Sequence, residues 1–144
     1  MQNFLLRVPP FLAFGQDVLP KLGAIAREHG TRALIISEAV LHEGNYVNRV
    51  VEILKRAGLE TMVYDELMPG SPASTIDEVA SLARASRTSV VVGLGGMRVL
   101  SVARCVSNIA AGSFRVGDLL DGKTPDSSVP YIEVPSSYRN HLMM

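Results

Sequence analysis

Residues 89–104 read SVVVGLGGMRVLSVAR, and this stretch decides the fold. Its first part, residues 89–94, is an almost uninterrupted apolar run, which is typical of a strand buried on both faces of a sheet. Gly95 and Gly96 then turn the chain into a segment whose apolar residues recur at helical spacing. A buried strand, a glycine turn and an amphipathic helix in this order predict an α/β domain with parallel strands.

Four other stretches have the composition of strands: residues 4–8 (FLLRV), 32–37 (RALIIS), 61–64 (TMVY) and 129–135 (VPYIEVP). The first of them is followed by Pro9 and Pro10, which suits an edge strand. Strands that alternate with helices pair in parallel through right-handed crossovers. The predicted fold class is therefore α/β, a three-layer domain with an open, mostly parallel sheet and an N-terminal edge strand.

Apolar residues at helical spacing predict helices between these strands. The predicted helices run from Val18 to His29, through residues 45–58, from a cap at Ser74 or Thr75, and onward from Gly96. Gly30 is placed to end the first of them, as glycine often does. Residues 112–129 contain three glycines and a proline and are predicted to form a loop.

Composition narrows the class of protein. With 144 residues, 47% of them apolar, the chain suits one compact domain. The 14 basic and 14 acidic residues balance, which argues against a nucleic-acid surface. No apolar run is long enough to span a membrane, and no basic leader precedes the apolar N-terminus, so a cytoplasmic protein is expected. The single cysteine, Cys105, excludes an intrachain disulfide framework and fits a reducing compartment.

Ligands of open α/β sheets bind at the carboxyl ends of the strands. The sharpest candidate is Gly95 and Gly96, because small residues before a helix let a diphosphate approach free backbone amides. Arg98 opposes the helix dipole by a few tenths to about 1 kcal/mol, a conflict that a bound anion would relieve. A plain tight turn with a solvated arginine explains the same residues equally well.

Two other strand ends carry polar side chains. Glu38 can accept hydrogen bonds from both hydroxyls of an adenosine ribose and would repel a 2′-phosphate, which favours NAD over NADP. Taken alone, a solvated acid is the simpler interpretation. Ser136 and Ser137 can bind a ribose or a phosphate oxygen, or cap the next element.

The remaining chemistry-bearing residues are weaker candidates. His29, His42 and His141 share no metal-ligand spacing, and the first two are expected to be solvated without a partner. Arg104 is expected on the surface of the glycine-led helix, within possible reach of the cleft. Cys105 is expected to be a small buried hydrophobe.

Together these pieces resemble the N-terminal domain of the iron-containing (group III) alcohol dehydrogenase family. The resemblance rests on residues 32–41 (RALIISEAVL), 90–104 (VVVGLGGMRVLSVAR), 119–123 (LLDGK) and 129–137 (VPYIEVPSS), in this order and spacing. It implies a Rossmann-like fold over residues 1–144 that holds NAD, with NADP disfavoured. The implied cofactor contacts are Gly95, Gly96, Met97 and Arg98 at the diphosphate, Glu38 at the adenosine ribose, Ser136 and Ser137 toward the nicotinamide, and Leu119 and Leu120 as a flanking loop.

The chain departs from the family pattern. Met97 stands for the third glycine, Arg98 for the following serine, Ser101 for an aspartate and Arg104 for a lysine. The family's Thr-Thr-Ala-Gly-Thr-Gly-Ser run reads SSYRNHL from Ser136 onward. Two explanations of these departures stay open. The chain belongs to a divergent branch that binds the cofactor through different contacts, or its cofactor site is degenerate.

The family's metal ligands, an Asp and three His, lie in a helical second domain, and no residue here matches them. The resemblance thus implies the cofactor part of an oxidoreductase that moves a hydride between NAD and a small alcohol or aldehyde, with Fe or Zn in the missing domain. The chain alone should be inactive, with no catalytic residue of its own. Alternatives are a glycerol dehydrogenase or dehydroquinate synthase type of enzyme, and a non-catalytic assembly domain. The family also implies a homodimer formed through the N-terminal strand.

Overall fold

A computed structural model describes residues 11–136. Its sheet has four parallel strands in the order β2-β1-β3-β4. The strands are β1 (Arg32–Ile36), β2 (Glu60–Tyr64), β3 (Val90–Gly95) and β4 (Tyr131–Pro135). The predicted parallel sheet is confirmed, and each predicted strand within this range lies within about two residues of its observed bounds. The predicted edge strand at residues 4–8 lies outside the described residues.

Six α-helices are described between or before these strands. They are α1 (Leu22–Arg27), α2 (Val40–Glu43), α3 (Tyr46–Arg56), α4 (Ser74–Ala85), α5 (Met97–Ala110) and α6 (Val116–Leu120), with a 3₁₀ turn at Leu19–Lys21. Gly30 follows α1 with φ 146°, a backbone conformation that side chains rarely adopt. The helix stop predicted at Gly30 is therefore confirmed.

Two local predictions were wrong. Neither Ser74 nor Thr75 caps α4, because the first turn begins earlier: the amide of Thr75 donates to the carbonyl of Pro72 at 3.0 Å, and Ala73 is the N-cap. Residues 112–129 are not all loop, since they contain α6. The amide of Val116 donates to Asp77 Oδ1 of α4 at 2.8 Å, so a tertiary contact anchors this short helix.

Helices cover both faces of the sheet, which confirms the predicted three layers. On one face, Leu34 and Val91 pack with the apolar residues of α4 and α5. On the other face, Ile35 and Val92 pack with those of α1 and α3. Both faces of β1 and β3 are thus covered, which explains why residues 33–36 and 90–95 are all apolar and buried.

The chain changes direction between β1 and β3. These strands are neighbours, yet the helix after β1 (α3) and the helix after β3 (α5) lie on opposite faces of the sheet. A crevice forms where the connections diverge, outside the carboxyl ends of the two strands. Glu38 follows β1 and Gly96 follows β3 at this crevice.

Candidate functional site

The structure brings three of the predicted site segments to one edge of the sheet. Glu38 follows β1, Gly95 ends β3 and is followed by Gly96 to Arg98, and Ser136 follows β4. Ser136 is held beside the glycine turn, since its amide donates to the carbonyl of Gly95 at 2.9 Å. The preceding Ser37 is fully buried, which leaves Glu38 as the side chain presented at the end of β1. Ser137 lies outside the described residues.

The glycine turn has the form that a diphosphate site needs. Gly95 has φ 155°, and a Cβ there would stand 3.0 Å from the Cβ of Val99, so the position requires glycine. Gly96 is the extended N-cap of α5, and no side chain caps this helix. The first amides of α5 are therefore open to an anion. Met97 stands where the family pattern has a third glycine, and it is 48% exposed to solvent.

Arg98 and Glu38 form an ion pair across the crevice. Arg98 Nη2 lies 3.1 Å from Glu38 Oε2, with the Glu38 side chain 22% exposed and that of Arg98 46%. A cation in the first turn of α5 interacts unfavourably with the helix dipole. The carboxylate of Glu38 compensates for this by pairing with Arg98. The sequence presented the two residues as separate candidates 60 positions apart, and only the adjacency of β1 and β3 joins them.

A second pair of polar side chains lies at the same edge of the sheet, next to the end of β2. His42 Nε2 on α2 contacts Asp65 Oδ2, which directly follows β2. The prediction that His42 has no partner was wrong, because the partner is 23 residues away and only the fold brings it close. Glu66 lies beside this pair and forms an isolated backbone bridge with Glu38.

The structure does not bring Leu119 and Leu120 to the glycine turn. Leu119 lines a cavity of about 340 Å³ together with Asn108 and Lys123. Asn108 lies on α5 12 residues after Gly96, a separation of about 18 Å at the helical rise per residue. Leu120, which lies with Leu119 on α6, is 78% exposed. These two residues thus belong to another part of the surface.

Arg104 pairs with the last strand. Its guanidinium contacts Glu133 Oε1 of β4 and lies 5.9 Å from the centre of the Tyr131 ring. Tyr131 donates its hydroxyl to the carbonyl of Leu100 at 3.0 Å, in space that a Cβ at Gly93 would fill. Arg104 therefore ties α5 to β4, which is a structural role that the sequence pattern did not reveal.

Cys105, the neighbour of Arg104, is only partly buried, whereas a small buried hydrophobe was expected. This burial still raises the pKa of its thiol, against a smaller lowering by Arg104. A raised pKa keeps the thiol protonated and so limits its nucleophilicity.

We expect Tyr131→Phe to change how stability depends on pH. Burial, followed by the charge of Glu133, raises the pKa of Tyr131 well above its ordinary value of 10.0. Between the unfolded and folded pKa values, the folded chain holds the phenol proton and the unfolded chain loses it. The free energy of unfolding should therefore fall as pH rises above 10, by up to about 1.4 kcal/mol per pH unit from this group.

The measurement is urea unfolding at a series of pH values from 8 to 11. The wild-type chain should lose stability with pH more steeply than Tyr131→Phe. The variant itself should be less stable at every pH below 10, because it loses the contacts of the hydroxyl with the carbonyl of Leu100 and with Glu133 Oε1, each at 3.0 Å. Parallel curves for the two chains would contradict the prediction.

The described residues do not fit a metal ion. Within residues 11–136, no group of three His, Cys, Asp or Glu side chains could hold one. The same range contains no helix long and apolar enough to cross a lipid bilayer. What the site does offer is a glycine turn, free helix amides, a carboxylate and a serine hydroxyl at one crevice.

Comparison with known proteins shows which family this chain is related to. The family model of iron-containing alcohol dehydrogenases matches residues 9–138. The NAD-dependent methanol dehydrogenase of Bacillus methanolicus is 24% identical over 119 residues, which are 82% of this chain and 31% of that enzyme. The bifunctional aldehyde-alcohol dehydrogenase of Escherichia coli is 28% identical over 99 residues, covering 68% of this chain and 11% of that one. The chain thus spans a third or less of the length of these relatives.

Solved structures show the same fold. The NADH-dependent butanol dehydrogenase A of Thermotoga maritima superposes with a TM-score of 0.83 at 24% identity, over 94% of this chain and 35% of that one. An alcohol dehydrogenase from an archaeal halo-thermophile of a Red Sea brine pool gives the same TM-score and identity, over 94% and 37%. At this identity the superpositions establish the fold, and the family model, which covers most of the chain, establishes the descent. The chain belongs to the iron-containing alcohol dehydrogenase family.

Proposed function

We propose that this chain is the nucleotide-binding part of an NAD-dependent alcohol dehydrogenase. The observation that carries the proposal is the glycine turn of Gly95 and Gly96, which opens α5 without a side-chain cap at the crevice between β1 and β3. Nucleotides bind at such a crevice in open α/β sheets. Membership of a family whose relatives include an NAD-dependent methanol dehydrogenase supports the same cofactor.

Each residue has a proposed task. The first amides of α5, after Gly96, hold the diphosphate, and Gly95 keeps its approach free of a side chain. Glu38 accepts hydrogen bonds from the hydroxyls of the adenosine ribose. Ser136, beside the turn, donates its hydroxyl to a ribose or phosphate oxygen, with Ser137 proposed for the same region. Leu119 and Leu120, which lie on α6, are proposed only as a segment that flanks the cofactor, as the resemblance implies.

The reaction proposed for the whole enzyme is hydride transfer between NAD and a small alcohol or aldehyde. NAD supplies the hydride acceptor when it is bound. Polarising the alcohol requires the family's metal, proposed to be Fe or Zn, and residues 11–136 do not fit one. We therefore propose that residues 1–144 form a cofactor domain that binds NAD without turnover.

A homodimer in the cytoplasm is the proposed working state. Phe11, Leu12 and Phe14 are 62%, 71% and 82% exposed at the start of the described chain, next to the predicted strand at residues 4–8. Exposed apolar side chains that lie close together favour association. Pairing of two N-terminal strands, as the resemblance implies, would cover them.

Calorimetric titration of the chain with NAD, and in parallel with ADP-ribose, tests the proposal. Dissociation constants in the micromolar to low millimolar range are expected. Glu38→Gln should weaken binding about 10-fold, since it removes charged hydrogen bonds to the ribose. Met97→Gly should tighten it by up to about 10-fold by clearing space at the diphosphate. Glu52→Gln, a substitution on the exposed surface of α3, serves as the matched control.

Two results would count against an NAD site. One is no heat and no shift in melting temperature at millimolar ligand. The other is an affinity that Glu38→Gln leaves unchanged. The Arg98–Glu38 ion pair favours a second candidate, a degenerate domain kept for assembly, because it occupies the crevice. Either negative result, together with a stable dimer in sedimentation, would support that candidate.

A further inference from the structure

The Arg98–Glu38 pair changes the charge of the proposed ribose subsite. Glu38 by itself presents a carboxylate, which repels a 2′-phosphate and so favours NAD. In the structure, however, Arg98 Nη2 lies 3.1 Å from Glu38 Oε2. The pair carries no net charge, and the electrostatic argument against a 2′-phosphate no longer holds at this position.

Arg98 is also the outer member of the pair. Its side chain is 46% exposed, while that of Glu38 is 22% exposed. A guanidinium presents five N–H donors in a planar fork that matches phosphate, and the contact with Glu38 engages one nitrogen. Arg98 can therefore keep its ion pair and still donate to a phosphate from the solvent side.

The neighbouring carboxylates do not restore the repulsion. Asp65 follows β2, which lies one strand further from β3 and Arg98 than β1 and Glu38 do. Glu66 adjoins Glu38 through the backbone bridge, but it is exposed and therefore screened by solvent and salt. The open amides at the N-terminus of α5 add a positive contribution close to Arg98.

We infer that Arg98 sets the cofactor selectivity of this chain, so that the site accepts a 2′-phosphorylated adenosine, and hence NADP(H), as well as NAD(H). The inference rests on the proposed function, because it assigns a role within the same nucleotide site. It revises the preference for NAD alone that Glu38 indicates in the sequence. Arg98 acts as a specificity-determining residue.

Two small probes isolate the 2′-phosphate. Adenosine 5′-monophosphate and adenosine 2′,5′-bisphosphate differ only in that group, and calorimetry at fixed ionic strength gives both dissociation constants. The wild-type chain should bind the bisphosphate no more than 10-fold more weakly than the monophosphate. Arg98→Ser should lower the affinity for the bisphosphate at least 10-fold more than that for the monophosphate.

Three companion variants sharpen the result. Arg98→Lys keeps the charge without the fork and should lose less than Arg98→Ser. Glu38→Gln releases Arg98 and should shift selectivity further toward the bisphosphate. Arg56→Ser removes a surface arginine at the far end of α3, where it pairs only loosely with Glu52 at 3.8 Å, and should change neither affinity.

The outcomes separate this inference from the proposed function. Binding of the monophosphate together with a bisphosphate affinity more than 10-fold lower would overturn the inference and leave the nucleotide site standing. Equal losses for both probes in Arg98→Ser would also overturn it, since Arg98 would then serve the 5′-phosphate. Failure of both probes to bind would overturn the inference and the nucleotide site together. Circular dichroism of each variant verifies that it is folded.

Discussion

Arg84→Met is expected to cost about 2 to 4 kcal/mol of the free energy of unfolding. The Arg84 guanidinium donates to three backbone carbonyls: Gly112 at 2.6 Å, Ile109 at 3.0 Å and Phe114 at 2.8 Å. These carbonyls lie at the end of α5 and in the segment leading to α6, where no helical amide can satisfy them. Hydrogen bonds from a charged donor contribute about 1.5 to 3 kcal/mol each, but not additively when they share one group.

Urea unfolding followed by circular dichroism measures this loss. Methionine retains the apolar stem, so the difference reports on the guanidinium. Arg49→Met, an exposed arginine on α3, is the matched control and should change stability by no more than about 0.5 kcal/mol. A loss in Arg84→Met as small as that of the control would show that water replaces the guanidinium without penalty.

Gly30→Ala is expected to cost about 3 kcal/mol or more. Gly30 has φ 146°, which is strained for alanine by about 1 to 3 kcal/mol. The new Cβ would also lie 2.4 Å from Ser89 Oγ, closer than any real contact. Ser89 cannot simply move away, because its hydroxyl accepts from the amide of Arg32 at 3.0 Å and donates to the carbonyl of Arg32 at 2.9 Å. Losing those bonds adds about 0.5 to 1.5 kcal/mol each.

Two substitutions separate strain from overlap. Gly70→Ala places alanine at φ 80°, with no atom within 4 Å of the new Cβ, and should cost only about 1 to 2 kcal/mol. Gly30→Ala combined with Ser89→Gly removes the overlapping side chain and should recover part of the loss in a double-mutant cycle. If Gly30→Ala and Gly70→Ala cost the same, the contact with Ser89 does not constrain this turn.

The fold could be predicted from sequence where local pattern and tertiary structure agree. The run at residues 89–94 is apolar because β3 is covered on both faces, so its position follows from composition. The start of α4 and the existence of α6 could not be predicted in this way. Both depend on contacts outside the local pattern, such as the hydrogen bond from Val116 to Asp77, 39 residues away.

The candidate site was predictable as a set of strand ends and not as a set of contacts. Gly95 and Gly96 stand out in the sequence because two small residues in a row between an apolar strand and a helix are a recognisable local pattern. The ion pair of Arg98 with Glu38 does not stand out, because it requires β1 and β3 to be neighbours, and strand order is not written in local sequence. For the same reason the sequence did not predict that Asp65 is the partner of His42.

The central position of β1 has a consequence for the growing chain on the ribosome. Its first partner, β2, is complete at residue 64, but its second partner begins only at residue 90. During that interval one edge of the strand Arg32–Ile36 has unpaired backbone N–H and C=O groups. Such edges can pair with strands of other molecules. Slow translation through residues 65–89 would lengthen this exposure, so recovery of native protein on expression should improve when synthesis is dilute or a holdase chaperone is abundant.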